Sequence, residues 1–189
     1  MHLHKKRSIG FSLCLLLLLA MAIGGSASVY AASSPVTATV RGGSLSESPA
    51  TNQVSLNLKR GVKSVNYTLP IAVVDARGSG AGWKLTITST QFITSNGKNQ
   101  LPTNASSITG VNISCGTHST CKKPVNSISY PLVIPADTQP PPPVKCFNAT
   151  VNTGMGKFSL SMMVQVTVPA SAPSGTYTST IYLVVASGP

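Results

Sequence analysis

Apolar residues recur at every second position through most of this chain, and that period limits what the chain can fold into. The alternation is clear at 36–40, 54–58, 83–87 and 160–168. Side chains of a β-strand point to opposite faces of a sheet in turn, so this period is typical of strands that bury one face. After residue 32, no window has the longer period of an amphipathic helix. The sequence therefore predicts an all-β protein.

Turn-forming residues separate these alternating segments. Clusters of Gly, Pro, Asn and Ser lie at 41–43, 96–97 and 169–175, and such residues favour the backbone angles that tight turns need. The last segment, 176–185, becomes apolar on both faces, which is typical of a central strand. Several short strands with turns between them, over the length of one domain, predict a single-domain antiparallel β-sandwich.

One segment, 135–144, departs from the strand pattern because it contains four consecutive prolines at 140–143. Proline has no N–H group to donate to a neighbouring strand, and consecutive prolines favour an extended polyproline conformation. We therefore predict a stiff surface loop over this segment. A docking motif for a proline-binding partner is the alternative interpretation.

The N-terminal residues predict export from the cell. A basic stretch at 2–7 is followed by an apolar stretch at 9–23 and by small residues that end at Ala31-Ala32. These are the three parts of a secretory signal peptide. An uncleaved membrane anchor is the alternative, but the apolar stretch is shorter than the roughly 20 residues that span a bilayer. We predict a signal peptide at 1–32, a mature domain at 33–189, and no membrane span in the mature chain.

The charge of the chain is strongly positive, with 14 Lys and Arg against 3 Asp and Glu. Three of the basic residues lie in the predicted signal peptide, so cleavage lowers the formal net charge from +11 by three, to +8. Such a domain is attracted to anionic polymers outside the cell. Nucleic acid is disfavoured as a partner, because the basic residues are scattered singly or in pairs and lack the interleaved aromatic residues of a base-stacking surface.

The residues that usually carry out catalysis are sparse. The carboxylates Glu47, Asp75 and Asp137 are far apart in the sequence, and His118 is the sole histidine of the predicted mature chain. No Gly-x-Ser-x-Gly motif supports a nucleophilic serine. The glycine-rich segment 78–82 is followed by a strand pattern, whereas phosphate-binding loops precede a helix. The sequence predicts no enzyme and no cofactor, and it predicts a tight turn with positive φ angles at 78–82.

The cysteines allow two kinds of site. Cys115 and Cys121 flank His118, and with Cys146 they could supply the ligands of a Cys₃His zinc site. An oxidising exterior favours a disulfide instead, so we predict a Cys115–Cys121 disulfide and no metal. Cys146 is then either a buried apolar residue or an intermolecular link. A pairing of Cys146 with one of the other two remains open at this point.

Two segments resemble the signatures of one protein family. The segment 73–89, VVDARGSGAGWKLTITS, resembles the first signature of the WxL family of bacterial surface domains. In that signature, Asp-x-Arg/Thr-Gly-x-Gly-x-Gly-Trp-x-Leu runs into a strand of alternating Thr and Val or Ile. The segment 177–185 is similar to the second signature, Tyr-x-x-x-Leu-Thr-Trp-x-Leu, with Tyr182 and Leu183 in place of its Thr and Trp. The resemblance covers 36–185.

This resemblance implies non-covalent attachment to the cell wall of a Gram-positive-type bacterium, through peptidoglycan or an associated anionic polymer. The residues that it suggests for wall binding are Trp83, Leu85, Arg77, Lys84 and Tyr177. For Trp83, burial in the core is an alternative to stacking on a sugar. The alternative function is a structural or adhesive subunit that assembles with another exported surface protein. A protein released to the medium is a third possibility.

Overall fold

The computed structural model describes residues 41–117 and 119–189. The predicted signal peptide at 1–32, the alternating segment at 36–40 and His118 lie outside the described residues. No helix occurs in the described part of the chain, and so none has the length and apolarity needed to cross a membrane. The strands are β1 (Leu45–Ser48), β2 (Thr51–Leu58), β3 (Ser64–Asp75), β4 (Trp83–Thr90), β5 (Ile93–Thr94), β6 (Ser106–Cys115), β7 (Cys121–Lys122), β8 (Leu132–Val133), β9 (Ala136–Asp137), β10 (Val144–Ala149), β11 (Met155–Thr167) and β12 (Gly175–Ser187).

The strands form two sheets. Sheet A has the order β1-β3-β11-β6-β8, and β7 pairs with one end of β11. Sheet B has the order β10-β4-β12-β2, with β5 on β12 and β9 on β4. The pairing is antiparallel throughout, except that β9 runs parallel to β4. The predicted all-β class and antiparallel sandwich are confirmed.

The core lies between the inner faces of the two sheets. Along β11, the predicted parity is confirmed: Leu160, Met162, Val164 and Val166 are buried, and the residues between them are exposed or half-buried. They pack in two clusters that combine residues of both sheets. Full burial of one such side chain contributes about 1.5–3 kcal/mol, so these alternating strands account for much of the stability of the fold.

The last strand is central, as its sequence predicted, but only one of its apolar faces is covered. β12 lies between β4 and β2 in sheet B. Its inward side chains Ile181 and Leu183 are buried. Its outward side chains Tyr182 and Val184 are 36% and 55% exposed. Sheet B therefore carries apolar side chains in the middle of an open outer face.

The proline-rich segment is a loop between β9 and β10 that contacts this outer face. The hydroxyl of Thr88 on β4 donates a hydrogen bond to the carbonyl oxygen of Pro141 at 2.8 Å. Thr88 is buried as a result, although it points away from the core. The predicted loop at 135–144 is therefore attached to the sheet, and it includes the two-residue strand β9 and the first residue of β10.

The cysteines adopt the predicted disulfide. Cys115 and Cys121 are bonded at the ends of β6 and β7. Cys146 is free and fully buried on β10, where its thiol donates to the carbonyl oxygen of Leu85 at 3.3 Å. Burial raises the pKa of this thiol to about 12. Of the interpretations left open for Cys146, the buried apolar residue is correct, and the disulfide removes two of the thiols that a Cys₃His zinc site would need.

Candidate functional site

The glycine-rich segment forms a connection between β3 and β4, called here the glycine loop (residues 76–82). Gly78, Gly80 and Gly82 have φ angles of 69°, 66° and 71°, a region that side chains other than glycine rarely adopt. Gly82 also has no room for a side chain, because a Cβ atom there would collide with the carbonyl oxygen of Ala149. The tight turn with positive φ angles predicted for this segment is confirmed, and the close approach at Gly82 is a second constraint on it.

A second loop, residues 150–154, packs against the glycine loop. The N–H of Asn152, itself at a φ of 62°, donates to the carbonyl oxygen of Gly80 at 2.7 Å. The indole N–H of Trp83 donates to the carbonyl oxygen of Gly154 at 2.8 Å. The end of β12 joins them, since the N–H of Gly188 donates to the carbonyl oxygen of Gly82 at 3.1 Å. The three segments form one compact end of the sandwich.

Trp83 is the anchor of this end and belongs to the core. Its side chain is 0% exposed. Its ring stacks on Phe147 with a centroid distance of 5.7 Å, and it lies tilted against Phe158 at 6.4 Å. Of the two interpretations of Trp83, burial in the core is the one that the structure supports. A ring enclosed in this way is not available for stacking on a sugar.

Arg77 fastens the two ends of the glycine loop together. Its guanidinium pairs with both carboxylate oxygens of Asp75 at 2.9 Å, and it donates to the carbonyl oxygen of Gly82 at 2.8 Å. A further N–H donates to the hydroxyl of Ser187 on β12. Asp75 also accepts the backbone N–H of Arg77 at 3.1 Å, so its carboxylate stabilises the turn. Most donors of Arg77 are therefore engaged within the domain.

This ion pair makes stability depend on pH in a defined direction. Hydrogen bonds from the Arg77 side chain hold the pKa of the Asp75 carboxyl below its ordinary value, against the opposing effect of burial. A carboxyl whose pKa is lower in the folded state stabilises the fold above its unfolded pKa of about 3.9 and loses that contribution as the pH falls further. We expect the free energy of unfolding to decrease as the pH falls below about 4. Urea unfolding at several pH values measures this decrease.

The matched variant for this prediction is Asp75→Asn, which removes the titrating group and preserves the size of the side chain. It is expected to be less stable at neutral pH, because the guanidinium of Arg77 loses its partner. Its stability should also vary less with pH below about 4 than that of the unchanged protein. Equal slopes for the two proteins would show that Asp75 does not carry the pH dependence.

The five residues suggested for wall binding do not lie on one surface. Trp83, Leu85 and Tyr177 are each 0% exposed, whereas Arg77 and Lys84 are half-buried. Tyr177 is at the start of β12, and the strand position opposite Trp83 is Ser187. Ten residues of strand place the two about 33 Å apart. This placement does not favour contact of all five residues with one polymer segment. The binding role of each residue stays a prediction.

Several basic residues lie on strands and loops at the same end of the sandwich as the glycine loop, on the outer faces of both sheets. Lys122 lies on β7, next to the start of β11, and Lys157 lies on β11 opposite Val74. Lys84 follows Trp83 on the outward face of β4. Asp75 is neutralised by Arg77, and Glu47 lies on β1 opposite Val73. We call this region the basic end; its cations are Arg41, Lys84, Lys122, Lys123 and Lys157.

Sequence analysis did not single out the outer face of sheet B. Val184 is paired with Thr86, and Thr86 is paired in turn with Lys145 on β10. Tyr182 is paired with Thr88 in the neighbouring row. The sequence carries a signal for this surface, since 176–185 is apolar at both parities, but the same pattern is also typical of a strand that is buried on both faces.

Comparison with known proteins gives one match. The family model described as "WxL domain surface cell wall-binding" matches residues 36–189, which include every described strand. No curated protein and no solved structure gives a significant match. The resemblance of the two sequence segments thus extends to the whole β-sandwich.

Proposed function

Because this chain belongs to the WxL family of surface cell wall-binding domains, we propose that it attaches non-covalently to peptidoglycan, or to an anionic polymer associated with it, and catalyses no reaction. Binding to the wall at the cell surface follows from membership of the family. The proposal adds the class of polymer, the means of attachment and the absence of catalysis. Its main support is the excess of exposed positive charge at the basic end.

Attachment through this charge would depend on many weak contacts. An exposed ion pair contributes about 0–1 kcal/mol, but a polymer with repeated anionic groups meets several lysines at once and its contacts reinforce each other. Charges separated by more than about 8 Å are screened at physiological ionic strength. Binding of this kind is therefore strong at low salt and weakens as salt is added.

Within this proposal the five predicted residues divide into two roles. Trp83, Leu85 and Tyr177, all buried, maintain the sandwich and the loops at its ends. Arg77 holds the glycine loop closed through Asp75 and Gly82. Lys84, half-buried on an outward strand position, is the member of the set that we propose contacts the polymer.

The positions of the carboxylates support a protein without catalytic activity. Asp75 is 3% exposed and paired with Arg77. Glu47 is on β1 in sheet A, whereas Asp137 is on β9 in sheet B. General acid–base catalysis by carboxylates commonly requires two of them, or one with a histidine, around a shared substrate. The described carboxylates are not grouped in that way.

The test is co-sedimentation of the exported protein, purified from the surface of secreting cells, with sacculi stripped of protein. We expect saturable binding that weakens several-fold between low and high salt. Lys122→Glu with Lys123→Glu should weaken binding strongly. Lys59→Glu with Arg60→Glu makes the same change of charge at the β2–β3 turn, and should weaken it much less.

Two results would contradict the proposal. If the folded protein remains in the supernatant at both salt concentrations, attachment to peptidoglycan or its associated polymers is wrong. If the two double variants bind equally well, the polymer does not bind at the basic end. Circular dichroism of each variant confirms that the sandwich is folded.

Assembly with another exported protein is the second candidate function, and one observation favours it. Among the described strands, β2 pairs with β12 alone, which leaves its other edge open. Its sequence, TNQVSLNL, has none of the charged residues or prolines that usually protect an edge from pairing. A partner could add a strand there. This function predicts a stoichiometric complex with a co-exported protein and no binding to clean sacculi.

A further inference from the structure

The outer face of sheet B carries an exposed aromatic residue beside an exposed aliphatic residue on a central strand. Tyr182 and Val184 occupy successive outward positions of β12, about 7 Å apart along the strand. Outward positions in the middle of a sheet are not hidden by neighbouring strands. The two side chains therefore form a small apolar strip on the outer surface of the sheet.

The charges around this strip are positive. Lys145, Thr86 and Val184 form one row across β10, β4 and β12. Lys84 lies in the next row on the same face, opposite Ala186. None of the four strands of this face, β10, β4, β12 and β2, contains Asp or Glu.

The proline-rich loop borders the strip on one side. It covers Thr88 through the hydrogen bond to the carbonyl of Pro141, and Thr88 is the residue paired with Tyr182. The closest carboxylate in strand order is Asp137 on β9, beside Thr90. Its Oδ1 atom accepts the N–H and the hydroxyl of Thr138. The strip therefore has the proline-rich loop beside Tyr182, and Lys145 on β10 in the row of Val184.

We propose that this face binds an extended, carboxylate-bearing glycan strand, with sugar rings over Tyr182 and Val184 and carboxylates at Lys84 and Lys145. This inference rests on the proposed attachment to the wall, and its site shares Lys84 with the basic end. Sugar rings have apolar faces that pack on aromatic and aliphatic side chains. The hydroxyl of the half-buried Thr86 donates to the carbonyl oxygen of Val184 and keeps its capacity to accept a hydrogen bond from a sugar. The lysines supply the complementary charge.

Two other occupants fit the face less well. A polyol-phosphate chain would satisfy the lysines, but it has no ring faces to cover Tyr182 and Val184. A stable protein partner buries about 800 Å² per side around a larger apolar centre, and the exposed apolar centre here is two side chains. The combination of an exposed aromatic ring, an exposed aliphatic side chain and neighbouring cations favours a glycan.

The test uses soluble glycan fragments released from sacculi by a muramidase, with their peptide carboxylates intact, and isothermal titration calorimetry with the exported full chain. Tyr182→Thr is expected to raise Kd about 10-fold, and Tyr182→Phe to leave it within about twofold, because stacking needs the ring and not the hydroxyl. Lys84→Gln with Lys145→Gln should raise Kd about 10-fold at low salt and reduce its salt dependence. Lys59→Gln with Arg60→Gln is the charge-matched control and should change Kd little.

The outcomes separate this inference from the proposed function. Unchanged affinity of Tyr182→Thr for the fragments, with wild-type binding to sacculi retained, would overturn the site and leave wall attachment standing. Binding of wild type to polyglycerol phosphate but not to the fragments would overturn the glycan as the ligand. Failure of wild type to bind sacculi would overturn the proposed function itself. Thermal unfolding of each variant checks that loss of binding is not loss of folding.

Discussion

Replacing Trp83 with alanine is expected to lower the free energy of unfolding by about 3–5 kcal/mol. The indole is 0% exposed and packs on Phe147 and Phe158, so its removal leaves a large cavity between the sheets. The carbonyl of Gly154 also loses its hydrogen bond. Domains of this size are commonly stable by about 5–15 kcal/mol, so this variant is expected to lose a large share of the stability of the fold. Urea unfolding followed by circular dichroism measures the change.

Trp83→Phe is the control for the hydrogen bond in this experiment. Phenylalanine keeps an aromatic ring against Phe147 but leaves the Gly154 carbonyl without its donor, which costs about 1–3 kcal/mol. We expect its stability to lie between those of wild type and Trp83→Ala. A loss below about 1 kcal/mol for Trp83→Ala would contradict the burial of the indole. It would also restore Trp83 as a candidate for direct contact with the wall.

Replacing Gly82 with alanine is expected to lower the free energy of unfolding by about 2–5 kcal/mol. The φ angle of 71° alone costs about 1–2 kcal/mol for a residue with a side chain. The added Cβ would also collide with the carbonyl oxygen of Ala149 and lie 3.1 Å from the carbonyl carbon of Thr150. Forcing atoms into such a contact typically costs a further 1–3 kcal/mol or so. Thermal or urea unfolding measures the total.

Gly78→Ala separates the two contributions. Gly78 has nearly the same φ angle, 69°, but a Cβ there would meet no atom within 4 Å. This variant should lose only the backbone contribution of about 1–2 kcal/mol. If the two alanine variants are equally stable, the close approach of the glycine loop to Ala149 and Thr150 does not constrain the fold.

The strands with long alternating patterns could be predicted from the sequence because each pattern reports burial directly. This holds for 54–58, 83–87 and 160–168, which lie within or at the ends of β2, β4 and β11. The two-residue strands β5, β7, β8 and β9 could not be predicted in this way. They have no period of their own and form only where a longer strand already provides an edge.

The candidate site was harder to predict because the surroundings of its side chains come from segments that are distant in the sequence. The parity of Trp83 matched that of Leu85, but its enclosure depends on Phe147 and Phe158 from two later strands. The resemblance suggests Arg77 for wall binding, but the turn that brings Asp75 and Gly82 around its guanidinium could not be predicted from spacing alone. The exposure of Tyr182 could not be predicted, because a sequence that is apolar on both faces indicates a central strand but does not show whether both faces are covered.

The pairing order of the strands has a consequence for the passage of this protein to the cell surface. The centre of sheet A is β11 and the centre of sheet B is β12, and these are the last two strands of the chain. β2 and β3 therefore pair with strands that lie more than 80 residues downstream in the sequence, as in the pairs Val73–Phe158 and Leu56–Tyr177. Long-range pairing of this kind is slow to form. Neither sheet can close before β11 and β12 are available, so export that proceeds from the N-terminus would carry this domain as an open chain until both strands have emerged.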